Sequence, residues 1–247
     1  MNYVVKVLVG SMGNIRPLLM ALWIRKESMS ENKYLEILDL IETLVVRMYS
    51  IVQRPAYTAR HRIYELARDI YQENILPEEI IEKVIEIIED KAGDDDVKKA
   101  LTGEYDNFYS DFGKKEIRFL LYFYEKTKQK ESDKQKMPFN LEEWVNGKLV
   151  GADKEVNIEV DHIHPQSPKK DFDLEDDKHR LGNLSILPEK ENKSLQAAVQ
   201  ADKEEVYKYV NLEMNKDIVP ALENWNKKEI MDREDDIVKN ILDHWSY

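Results

Sequence analysis

Asp161 and His162 stand side by side in this chain, and a carboxylate next to an imidazole suits hydrolysis of a phosphodiester. An oxygen ligand can hold a hard divalent cation while the imidazole takes a proton from water near neutral pH. The pair lies in VDHIHPQS at 160–167, followed by LGNLSIL at 181–187 and EKENK at 189–193. Residues 157–163 read as a strand, where neighbouring side chains face opposite sides, so the pair could serve one site only where the strand ends or bends. Pro165 supplies that end, because it fixes its own φ, lacks an N–H and pushes His164 towards an extended conformation. Gly182 and Asn183 form a turn-prone pair leading into a short apolar strand, 184–187, closed by Pro188. Residues 189–196 have the composition of a helix start, with Asn192 in its first turns. The predicted order is strand, long polar loop, strand, helix.

A single Asp-His pair is often two surface groups satisfying each other, so the signal is the ordered set: Pro165, Gly182, Asn183 and Asn192 at these spacings. This set resembles the ββα-metal nucleases (His-Me finger, HNH), and more closely the C-terminal nuclease domain of GmrSD-type modification-dependent restriction enzymes. By that resemblance His162 is the general base that activates water, and Asn183 braces the loop carrying it. Asp161 and Asn192 are then the ligands of one divalent ion, Mg²⁺ or Mn²⁺, which would stabilise charge on the phosphate and the leaving 3′ oxygen. A helix bearing Trp225, Arg233 and Trp245 is similar to the one that closes this domain. The helices of 15–125, with IE-x-x-x-x-R at 41–47, resemble the all-helical middle of those enzymes. Two departures stand out. No D-G-Q-Q-R type motif of a ParB-like nucleotide-dependent domain is present, so such a sensor is expected as a separate partner or as a missing part of a longer protein. Residues 193–198 also lack the second Asn often seen in that family.

His179, Arg180, Lys190 and Lys193 are candidate phosphate contacts, each with an ordinary solvated side chain as its bland alternative. His164 reads as a loop residue.

The 247 residues can bury a full core as one large or two modest domains. Without cysteine there is no disulfide and no cysteine-ligated zinc, which fits a reducing cytoplasm. The apolar run 17–24 is too short to span a bilayer, so a soluble cytoplasmic protein is expected. A net charge of −12 is awkward for binding DNA. Residues 1–75 carry 10 basic and 8 acidic side chains, whereas 141–247 carry 15 and 25. The half holding the motif is the acidic one, so DNA affinity needs a local basic patch or a partner.

Around the motif the elements are helical. Residues 1–10 could form a short strand. Asn14 and Pro17 start a helix, and Ser30 caps another in which Tyr34, Ile37, Leu38, Ile41, Leu44, Val45 and Met48 make a buried stripe. Helices follow from Thr58, from Pro77 to a stop at Gly93, and over 114–130. The polar, lysine-rich stretch 129–140 is the expected domain boundary, giving a helical domain 1–135 and a nuclease domain 136–247. Helices are expected over 202–214, 217–226 and 227–245.

The fold expectation is therefore mainly α: an N-terminal helical bundle, then a ββα-metal motif embedded in helices. The function expectation is a metal-dependent DNA endonuclease or nickase acting against phage or foreign DNA. Its rivals are a catalytically silent scaffold in a defence system and a small-phosphoester hydrolase using His162 with His164.

Overall fold

The computed structural model describes residues 13–103, 108–132, 139–150, 155–165, 174, 177–195 and 203–247. The described chain is mainly α-helical with one small sheet, in agreement with the sequence reading. The strand expected over 1–10 and the loop residues Gln166 and Ser167 lie outside the described residues. Contacts divide the chain into two compact units, Met1–Ala100 with Trp245–Tyr247, and Leu101–His244.

In the first unit, α1 (Arg16–Arg25) has Pro17 in its first turn, where a missing N–H costs nothing. Ser30 caps α2 (Glu31–Val45) by accepting the Lys33 N–H at 3.3 Å. The helix then widens into a π turn, Val46–Ile51, marked by the Val52 N–H bonding the Arg47 carbonyl at 2.9 Å. α3 (Arg60–Tyr71) follows, and α4 (Pro77–Ala92) stops before Gly93 as expected. Ile37, Ile41, Leu44 and Met48 meet Ile63, Leu66, Val84 and Ile88 in one core. Burying each such side chain contributes about 1.5–3 kcal/mol. Arg47 is sealed within this unit, donating to the Trp245 carbonyl at 2.7 Å and pairing with Asp94 at 2.8 Å. Trp245, grouped with Trp225 and Arg233 by resemblance, thus belongs to the first unit, while the other two lie in the second.

The division between the two units falls inside α5 (Asp94–Thr102). After α6 (Phe108–Phe112), α7 (Lys114–Glu131) runs through the start of the stretch read as a linker, and Gln129 is buried in it. The reason is α7's bonds within the second unit. Arg118 donates to the carbonyls of Val145 and Ile158 at 3.3 and 3.2 Å, and the Trp144 indole donates to the Arg118 carbonyl at 2.8 Å. Asn140 caps the short α8 (Leu141–Val145), which leads into β1 (Lys148–Val150); the sequence reading had neither element.

β2 (Glu155–His162) lies between β1 and β3 (Leu184–Pro188), antiparallel to both. α9 (Glu189–Leu195) continues directly from β3, so the expected strand, loop, strand, helix order is realised. The helix expected over 202–214 is broken into α10 (Glu204–Tyr209) and α11 (Glu213–Lys216). The buried carboxylate of Glu125 on α7 is the cause: it accepts the N–H groups of Glu213 and Met214 at 3.0 and 2.9 Å and so starts a new helix there. Around Pro220 the chain forms a 3₁₀ turn, Val219–Asn224, before α12 (Lys227–His244).

Candidate active site

β2 runs without a bend through His162, so Asp161 and His162 project to opposite sides of the strand. Their surroundings differ accordingly.

On one side, the His162 ring meets the Tyr109 ring edge-on at 4.6 Å, and its Nε2 lies 3.3 Å from Nδ1 of His179. The His179 ring also stacks on Tyr109 at 6.2 Å, and the Tyr109 N–H donates to the His179 carbonyl at 3.2 Å. Tyr109, His162 and His179 thus form one aromatic cluster from three separate segments. Burial pushes His162 down to about 3, aided by the positive potential of His179, Lys203, Lys178 and His164. Its imidazole is therefore neutral across the physiological range, the form that accepts a proton.

The loop behind this ring is held by Asn183. Its Oδ1 accepts the His164 N–H at 2.8 Å and the Trp225 indole N–H at 3.0 Å, while its Nδ2 donates to the carbonyls of His164 and Lys178 at 3.0 and 2.7 Å. With no exposed surface, Asn183 uses each polar atom twice. His164 lies in the bend that follows β2 and is buried beside Asn183. Arg233 on α12 donates to the carbonyls of Gly182 and Leu184, both at 2.8 Å, and Glu234 accepts the Gly182 N–H at 3.4 Å. The GN turn is thereby fixed from both flanks.

On the other side of β2, Asp161 is 3 % exposed and both its oxygens are engaged. The Lys203 ammonium lies 2.7 and 3.0 Å from them and also donates to the His162 carbonyl, while the Tyr207 hydroxyl donates to Oδ2. Burial and the Asp161 charge raise Tyr207 well above its ordinary range, which keeps the hydroxyl protonated as a donor.

Asn192 sits half-buried on α9 with no described bond to Asp161. Among the described residues no group of three or more His, Asp or Glu side chains converges as a set of metal ligands. A divalent ion held by Asp161 and Asn192 does not fit this donor arrangement, because Asp161 is closed off by a cation and a hydroxyl already bonded to it.

Of the expected phosphate contacts, only His179 reaches the His162 side. Arg180 instead pairs with Glu234 and donates to the Thr102 carbonyl at 2.9 Å, and Lys193 pairs with Glu189 on the surface of α9. Lys190 is exposed on the same helix.

Tyr109, Lys203, Tyr207 and Glu234 were missed by sequence reasoning. Lys203 and Tyr207 are one helical turn apart, a spacing that puts both on one face and was available as a signal. Tyr109 carried none, being far from the motif in sequence.

Among the described residues no helix is long and apolar enough to cross a membrane. The family of GmrSD restriction endonucleases, C-terminal domain, matches residues 92–240. No curated protein matches the chain.

Proposed function

This chain belongs to the family of GmrSD restriction endonuclease C-terminal domains, which gives it a restriction-nuclease role, and from that premise we propose that it cleaves or nicks DNA with His162 as the general base. The observation that supports this reading is the neutral His162 ring at a strand end, edge-on to Tyr109 and next to His179, on a loop that Asn183 pins.

Water loses a proton to the neutral His162 imidazole as its oxygen attacks phosphorus. The P–O3′ bond breaks, leaving a 5′-phosphate, and the departing 3′ oxygen takes a proton from solvent. An anionic phosphate next to the ring opposes the burial and the positive neighbours that hold His162 neutral, so bound substrate favours the imidazolium formed in the reaction. In this reading His179, 3.3 Å from His162 Nε2, donates to a phosphate oxygen or holds the His162 tautomer. The acidic balance of 141–247 supports a division of labour in which a ParB-like sensor partner supplies most DNA affinity and the trigger, and this unit cuts.

A second reading, a silent scaffold, is favoured by the closure of Asp161. Plasmid nicking separates the two, comparing the protein with His162→Ala, with and without Mg²⁺ or Mn²⁺. Loss of the base is expected to lower the rate on the order of a hundredfold or more. Equal activity in both proteins sinks the role of His162, and no activity in either, with the partner present, transfers the case to the scaffold.

A further inference from the structure

The two sides of β2 carry different machinery, and the side opposite His162 already holds a cation. Lys203 Nζ contacts both oxygens of Asp161 and the carbonyl of His162, the next residue along the strand. A hard divalent ion needs just those carboxylate oxygens, in an open position that retains water. Here the Tyr207 hydroxyl supplies a further donor, and Lys203, Asp161 and Tyr207 are all nearly or fully buried. Inserting an ion would require expelling the ammonium from a site where it has two oxygen partners plus a carbonyl. Removing one member of such a buried pair leaves an uncompensated charge, the most costly way to disturb it.

We infer that Lys203 is the permanent cation of this site: with Tyr207 it takes the coordination of Asp161 that a metal would need, so Asp161 is a positioning residue for the strand end that carries His162, not a metal ligand. The geometry explains why an Asp should precede the base at all. Asp161 pairs in register with Ser185 and His162 with Leu184, so anchoring the carboxylate through α10 fixes the backbone from which the imidazole projects to the other side. It also gives the one-turn spacing of Lys203 and Tyr207 a purpose, since the two side chains clamp a single carboxylate from one helical face.

The inference rests on the nuclease reading for its meaning, but its test does not use cleavage. Crystals of the wild-type protein are soaked in MnCl₂ and examined by anomalous scattering, and Mn²⁺ binding is titrated in solution for the wild type, Asp161→Asn, Lys203→Met and the double variant. The expected result is no manganese bonded to Asp161, with Lys203 still on the carboxylate, and an Asp161→Asn affinity within about twofold of the wild type. Lys203→Met, if folded, bares the carboxylate and gains a Mn²⁺ site that the double variant lacks. Manganese bonded to Asp161 in the wild-type crystal, or a tenfold or greater loss of Mn²⁺ affinity in Asp161→Asn, overturns the inference; the crystal decides it even where no variant folds. A protein that fails to nick DNA with Lys203 on Asp161 sinks the nuclease reading alone, and one that nicks through His162 with manganese on Asp161 sinks this inference alone.

Discussion

The carbonyl oxygen of Ile230 occupies the space where a side chain on Gly182 would begin, 1.9 Å from an ideal Cβ position, with the Glu234 Cβ 3.0 Å away. Gly182 is required by this close approach of α12, not by an unusual backbone angle. Substituting Gly182→Ala must push α12 outward and lengthen the bonds that Arg233 and Glu234 make to the turn. We expect a loss of about 3 kcal/mol or more, at or beyond the upper end for overpacking, because backbone and not a flexible side chain has to give. Urea unfolding of the variant checks it, and a midpoint shift worth under about 1 kcal/mol contradicts the contact.

Asn183→Ala strips the His164 N–H and the Trp225 indole of their acceptor inside a buried site. Each orphaned donor costs about 1–3 kcal/mol, so the variant should be strongly destabilised and should lose nicking. Asn183→Asp keeps the acceptor but turns a second oxygen, which only accepts, towards the carbonyls of His164 and Lys178 in a buried site, so it should be strongly destabilised as well. A melting temperature for Asn183→Asp equal to that of the wild type would argue against these two bonds.

What could be read in advance follows from the range of the interactions. Ser30, Pro77 and the 3.6-residue stripes are local signals, and the helices they predict are present. The ββα order was legible because Pro165, Gly182 and Pro188 punctuate it within a short span. The break between Tyr209 and Glu213 was not, since its cause is Glu125, far upstream on α7. The same holds for the neighbours of the two motif residues. The resemblance implies a metal-ligand role for Asp161, and no local signal shows that its carboxylate meets Lys203 and Tyr207, which lie about forty residues further along the chain.

In the first unit, burial pushes the Glu42 carboxyl up to about 7, with repulsion from Asp39 adding to it and the Trp245 indole opposing it. Oε2 has no hydrogen-bond partner. An acid whose folded pKa lies above its unfolded value binds more protons in the native state. Its contribution is therefore full below about pH 4.5 and is lost as pH rises through 7. The native state should weaken by up to about 3 kcal/mol across that window. Glu42→Gln removes the ionisation, so its stability should be flatter with pH and higher than the wild type at pH 8 by equilibrium unfolding. Parallel pH profiles for the two proteins would show that Glu42 does not titrate in this way.

His162 has the opposite sign. Its folded pKa, about 3, lies below the unfolded value of 6.5, so the unfolded chain binds the extra proton between them. The stability contributed by the neutral ring is present above pH 6.5 and is lost as pH falls towards 3. Burial is the largest cause, and the Tyr109 ring is part of what buries it. Tyr109→Ala should therefore let water reach the imidazole and move its titration back up towards 6.5, a change NMR can follow on the ring protons of His162. In the wild type those resonances should not move between pH 8 and 5. A wild-type midpoint near 6.5, or no upward shift in Tyr109→Ala, would mean that the cluster of Tyr109, His162 and His179 does not keep the base neutral.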